Sequence, residues 1–217
     1  MGNDGIIAVM ALSRPLAAVL AAVLLPTPAR ADWRLEAFTG TAHSFTSPLT
    51  VHQTGFPDFR MDARYDTRPF TGSPYDSVRV GWWRGSSGWE LQLLHHKLYL
   101  TNPSAEVSAL EISHGYNMFT LGRTVSWRGF NLRAGAGLVV TFPETTVRGR
   151  KRSNLGYDLS GFTVAAGVGR RWPQEARLAL CGEVRLTLSW ITIPVFEGDA
   201  DVPNRALHFL IGLGYRF

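Results

Sequence analysis

The chain has 217 residues, a formal net charge of +5 and one cysteine, Cys181. A single cysteine excludes an intrachain disulfide, and the length suits one domain. No stretch reaches the ~18 consecutive apolar residues of a membrane helix, which excludes helical spans.

Residues 1–31 read as a secretory signal. Arg14 supplies the positive start, 16–25 the apolar core, and Ala29-Arg30-Ala31 the small-x-small cleavage site. Pro26 closes the apolar run, which is too short to span a bilayer. The mature chain is expected to begin at Asp32 and to form one domain over 32–217.

Eight strands are predicted in that domain, at 33–45, 75–83, 89–100, 111–127, 131–142, 157–172, 176–193 and 205–217. The second is the shortest, and 59–70 offers it a backward extension. Most reach the roughly 9 to 11 residues of a tilted membrane strand. Three connections, 84–88, 128–130 and 173–175, are tight, and four, 46–74, 101–110, 143–156 and 194–204, are longer. Alternating short turns and long loops are the mark of antiparallel strands with both termini in the periplasm. The expected fold is all-β: an eight-stranded antiparallel transmembrane β-barrel of outer-membrane type.

Parity assigns a lining. On the seventh strand Leu178, Leu180, Val184, Leu186, Leu188 and Trp190 share one face, and Arg177, Cys181, Glu183, Arg185, Thr187 and Ser189 the other. The same rule turns Arg34, Glu36, Arg79, Glu90, Gln92 and Arg133 inward. A barrel of this size has room only for side chains, so the lumen should be a salt-bridged plug. Glycines at 135, 137, 161, 167, 169, 212 and 214 are expected to make room for the arginines. Trp33, Trp83, Trp89, Trp127 and Trp172 suggest a girdle near the turns, although Trp83 falls on the inward parity.

The last strand alternates most strictly. Leu207, Phe209, Ile211, Leu213, Tyr215 and Phe217 share one face, and Gly212, Gly214 and Arg216 lie between them. A terminal Phe with Tyr two before it resembles the C-terminal signal of bacterial outer-membrane barrels. That implies the assembly machinery as a partner through Phe217. An edge strand of a soluble sheet is the alternative.

Polar residues interrupt the lipid-facing stripe at one place. Parity puts His95, Lys97 and Tyr99 outside with Leu91 and Leu93, and Glu111, Ser113 and Asn117 outside with Phe119 and Leu121. A hairpin in continuous register sets His95 opposite Asn117, Lys97 opposite Gly115 and Tyr99 opposite Ser113. Such a patch could supply acid–base, anion-binding and orienting groups. Strand ends beyond the bilayer, or a bulge that turns His95 and Lys97 inward, are the alternatives. The cluster Arg148, Arg150, Lys151 and Arg152 could meet nucleic acid, or better lipopolysaccharide phosphates, or only water. His43, His52, His96 and His114 could converge on a metal above the barrel, although their spacing does not demand it, and His208 reads as a lining residue.

Val80-Gly81-Trp82-Trp83-Arg84, His95-His96-Lys97-Leu98-Tyr99, Leu110-Glu111 with Gly115 and Asn117, and Gly135-Ala136-Gly137-Leu138 resemble the outer-membrane barrel family labelled lipid A oxidase. The resemblance covers most of the mature chain. It implies an eight-stranded barrel that oxidises the proximal glucosamine of lipid A with dioxygen, and His95, Lys97, Tyr99, Glu111, Gly115 and Asn117 match. Lys97 would bind a lipid A phosphate, His95 would move a proton or hold a metal, and Asn117 would orient it. Side chains supply no redox agent, so a metal ion would be required. The neighbouring lipid A 3-O-deacylase family needs His-x-Ser-Asn, and here His114-Gly115-Tyr116-Asn117 puts Tyr116 where the serine nucleophile belongs. The competing function is a non-enzymatic monomeric barrel that anchors the membrane or binds a small amphiphile. No nucleic-acid partner is expected.

Overall fold

The computed structural model describes residues 31–153 and 156–217; the expected secretory signal, 1–31, lies outside them except for Ala31. Among the described residues fourteen strands form: β1 (Ala31–Ser44), β2 (Ser47–Gln53), β3 (Phe59–Ala63), β4 (Tyr65–Asp66), β5 (Asp76–Arg84), β6 (Ser87–Leu100), β7 (Val107–Trp127), β8 (Phe130–Thr141), β9 (Glu144–Val147), β10 (Arg150–Ser153), β11 (Asp158–Trp172), β12 (Leu178–Val195), β13 (Gly198–Asp201) and β14 (Asn204–Arg216).

Eight of them are the predicted strands. Antiparallel pairing runs β1–β5–β6–β7–β8–β11–β12–β14 and returns to β1, where Arg34 faces Arg216 and Ser44 faces Ala206. The ring has no open edge, which is what a sheet needs if it is to lie in lipid. The tight turns follow local chemistry. Arg128 and Gly129 both take positive φ, 49° and 84°, between the paired residues Trp127 and Phe130; that geometry matches the twist of a two-residue hairpin.

Side chains alternate as expected. On β12, Leu178, Leu180, Val184 and Trp190 are exposed, whereas Cys181, Glu183, Arg185, Thr187 and Ser189 are buried. The exposed apolar band continues through Leu35, Val80, Leu91, Phe119, Leu121, Leu132, Phe162, Phe209, Ile211 and Leu213. Apolar outside and charged inside is the inverse of a soluble barrel. Trp33, Trp89, Trp127 and Trp172 sit outside at the turn end, but Trp83 is inside and 1% exposed.

The long connections correct the sequence reading. They are not plain loops but carry β2, β3, β4, β9, β10 and β13. β12 continues into a hairpin with β13, which pairs β2, which pairs β3. The upper part of β7 pairs β9, and β9 pairs β10. Together they build a cap at the loop end whose interior is apolar. Leu49, Val51, Ala63, Leu98, Val107, Leu110, Ile112, Val147, Ile193, Val195, Ala200 and Val202 are at most 3% exposed.

Candidate functional site

The inward stripe of the lower barrel forms one charge network. Arg79 donates to Glu36 at 2.8 Å and Glu183 at 2.6 Å, with Glu90 at 3.7 Å. Arg133 reaches Glu90 at 2.9 Å, Glu183 at 3.1 Å and Glu36 at 3.6 Å. Arg185 pairs with Glu183 at 2.7 Å and Arg171 with Glu36 at 3.4 Å. Thr124 adds a hydrogen bond to Glu90 at 2.6 Å. Three carboxylates thus meet four guanidiniums, an arrangement that offsets the large desolvation cost of each ion. Between Glu90, Thr120 and Arg133 only about 20 Å³ stays free, room for a water or so. A polar recess of about 380 Å³ opens at the turn end between Asp32, Arg34, Ser126 and Arg171.

Two glycines behave as predicted. A Cβ at Gly169 would lie 2.6 Å from Arg133 Nη1, and one at Gly214 would lie 2.3 Å from Arg171 Nη1. Gly212 serves another purpose, since its Cβ would collide with the Ala37 carbonyl of the neighbouring strand. Arg177 departs from its assigned lining position and is exposed at the last turn. Arg34 is half-buried and stacks at 3.8 Å on the ring of Trp83, which strand parity turns inside. Cys181 is buried beside Glu36, with Sγ 3.6 Å from Oε1.

A polar layer of histidine, tyrosine and threonine side chains separates the network from the cap. His208 Nδ1 lies 2.5 Å from the Tyr75 hydroxyl and Nε2 lies 2.7 Å from Thr187 Oγ1. His96, a candidate for a metal site above the barrel, is fully buried here, its ring 5.1 Å from His208 and 5.5 Å from Tyr116. The strand alternation that turns His95 outward turns His96 in.

On the outer wall the structure brings His95 and Asn117 together. They are cross-strand partners, with Nδ1 and Oδ1 2.9 Å apart. His95 Nε2 has no partner. Gly115 lets Asn117 and Tyr157 pack closely over it, because a Cβ there would lie 2.5 Å from Asn117 Nδ2 and 2.7 Å from the Tyr157 ring. Tyr157 donates to the His114 carbonyl at 3.0 Å and borders the patch, a role nothing in its sequence position signalled.

Lys97 and Tyr99 are not part of an open patch. The register shifts between His96 and Leu98, so Leu98 faces Ile112 and Tyr99 faces Glu111. The expected pairs Lys97–Gly115 and Tyr99–Ser113 therefore do not form. Lys97 is fully buried, and its ammonium donates to the carbonyls of Thr71 and Ser73. Tyr99 lies under the Arg68 guanidinium at 4.5 Å. The segment between β4 and β5 covers both, so neither presents itself to a lipid headgroup.

The proposed metal ligands stay apart. Among the described residues no three His, Cys, Asp or Glu side chains come together as a metal site. His43 packs edge-on to Phe45, and His114 contacts Ser113. His52 sits in the cap 2.9 Å from Asp58 and 3.5 Å from Asp201, and the hydrogen bond to Asp58 raises its pKa above the usual value. One buried, unpartnered imidazole nitrogen beside an amide is a poor donor set for a redox metal, so the residues present do not fit one at His95. The basic cluster is also tied down. Arg148 pairs with Glu106 at 2.5 Å, Arg150 with Glu197 at 2.8 Å, and Arg152 donates to the Val195 carbonyl. Only Lys151 of the four stands exposed without a described partner.

No protein-family model and no curated protein matches the chain. Among solved structures it is similar to the solid-state NMR structure of outer membrane protein AlkL in DMPC bilayers. The TM-score is 0.52 at 12% identity, over 89% of this chain and 93% of that one. It also matches the crystal structure of outer membrane protein OprG from Pseudomonas aeruginosa, with a TM-score of 0.47 and 13% identity over 87% and 97%. Neisserial surface protein A matches with a TM-score of 0.41 and 7% identity over 86% and 97%. At such identities the likeness is one of fold: the chain folds as a small outer-membrane β-barrel.

Proposed function

We propose that the chain is a non-enzymatic, non-conducting barrel of the bacterial outer membrane that displays its β-cap on the cell surface. The observation that carries this reading is the filled interior: charge network below, polar layer in the middle, apolar core above. The turns and both ends of the barrel chain then face the periplasm, and the exposed Phe217 is the handle for the assembly machinery. Planar-bilayer recording on the purified protein should give no steady current; a porin-like conductance would end the proposal. Cap orientation is testable with Lys151→Cys, because Cys181 is buried and silent. A membrane-impermeant maleimide should label this variant on intact cells, and labelling only after lysis would reverse the orientation.

A second reading, oxidation of lipid A, is what the family resemblance implies. It is favoured by one feature, the His95–Asn117 pair on the outer wall, whose buried Nε2 has no hydrogen-bond partner. Mass spectrometry of lipid A from cells with and without the chain decides between the two. The non-enzymatic reading expects identical spectra. A gain of one oxygen that disappears in His95→Ala would replace it.

A further inference from the structure

The turn end of the barrel carries arginines that no described carboxylate neutralises. Arg84, Arg128, Arg170 and Arg177 are exposed, and among the described residues none has a carboxylate partner. Three of them lie over outward aromatic rings: Arg84 on Trp82 at 4.5 Å, Arg128 on Trp127 at 4.9 Å and Arg170 on Phe130 at 5.4 Å. An aromatic shelf holds a guanidinium at the headgroup level while its stem lies along apolar surface. The carboxylates at this end are few. Glu175 is engaged by Arg216 at 3.2 Å, and Asp32 lines the recess inside the mouth.

One of these arginines borders a groove. On the lipid stripe of β12, which runs Leu178, Leu180, Gly182, Val184 and Leu186, only Gly182 lacks a side chain. Its absence leaves a groove of about 550 Å³ on the barrel wall between Phe130, Val168, Val184, Phe209 and Ile211. A Cβ at Gly182 would meet no atom within 4 Å. Neither close strand approach nor the lumen therefore requires glycine there, unlike Gly169 and Gly212. Arg170 is the cross-strand partner of Gly182 and lies at the groove's edge. The Glu183 carboxylate behind the groove floor is neutralised by Arg79, Arg133 and Arg185 and does not repel an anion outside.

We propose that this groove binds one anionic phospholipid of the turn-end leaflet, its phosphate on Arg170 and an acyl chain against Gly182. The inference rests on the membrane-spanning reading above. The guanidinium offers a forked donor set that fits phosphate, and the unneutralised arginines beside it select net negative headgroups over zwitterionic ones.

The test is native mass spectrometry of the purified full chain after extraction from vesicles of phosphatidylglycerol or of phosphatidylcholine with the same acyl chains. One phosphatidylglycerol should be retained, and phosphatidylcholine should not. Arg170→Gln should lower retention roughly tenfold, the order of one charge-assisted hydrogen bond. Gly182→Leu should abolish it while the barrel still folds, since the added side chain enters open space; heat-modifiable gel mobility confirms folding. Equal retention of both lipids, or retention unaffected by Gly182→Leu, would overturn the site while leaving the membrane reading intact. Lipopolysaccharide held with the same dependence on Gly182 would overturn the phospholipid assignment. Failure of the wild-type chain to insert into either vesicle would instead refute the membrane reading.

Discussion

The lower barrel and the cap share strands β6, β7 and β12 yet are filled in opposite ways. Below, inward positions hold Glu36, Arg79, Glu90, Arg133 and Glu183, and outward ones hold leucines and aromatics. Above, inward positions hold Leu49, Leu98, Ile112, Ile193 and Val195. The surroundings account for the inversion. In the lower barrel the outside is already apolar, so burying an apolar side chain inside gains little, and ion pairs in a low dielectric can hold the lumen together. The cap's composition is that of a protein in water, where apolar burial supplies the drive. One continuous strand such as β12 passes from one regime to the other between Ser189 and Ile191, both buried.

Three changes probe that contrast. The largest effect is expected from Arg79→Ala, which strips a guanidinium from three buried carboxylates. About 3–5 kcal/mol should be lost, read as a lower urea midpoint for loss of the heat-modifiable form. An unchanged midpoint would mean that the network does not hold the lumen. Next comes Ile193→Ala, at a fully buried cap position. The cost is about 3 kcal/mol, and it should appear as protease cleavage of the cap while the lower barrel keeps its gel mobility. Joint collapse of both would show one cooperative unit instead of two regimes.

The smallest effect concerns pH. His52 ties β2 to the turn before β3 and to β13 through Asp58 and Asp201, and its pKa is raised. A raised folded-state pKa means that the clasp contributes fully below the ordinary histidine range and is lost as pH rises through the raised value. Hydrogen exchange in β2 and β13, corrected for its intrinsic pH dependence, should therefore quicken on the alkaline side. His52→Gln should remove that step and leave the lower barrel unaffected.

The lower barrel was legible because its alternation is long and its inward residues are charged. All eight long strands fall within a few residues of their predicted positions, and the two-residue turn Arg128-Gly129 lies where tightness was expected. The cap was not legible. Its added strands are mostly four to seven residues long, too short for periodicity to stand out. Pairings such as Ala200 with Val51 join segments far apart in the chain. The outer patch was half legible. Parity and continuous register found His95 opposite Asn117, but no sequence signal located the bulge after His96 or the Thr71–Ser73 carbonyls over Lys97. Trp83 lies inside as its parity indicated, and Arg34 stacks on its ring there.

Cys181 turns the lumen into a clock. In the unfolded chain its thiol is open to any reagent, whereas in the finished barrel it lies 3% exposed behind Glu36 and Arg171. Its wall is made by β12 against β14, and Glu36 arrives only when β1 joins β14 at the seam. The moment at which the single thiol stops reacting therefore marks the moment at which the ring shuts, so pulsed alkylation during assembly times closure without any added label.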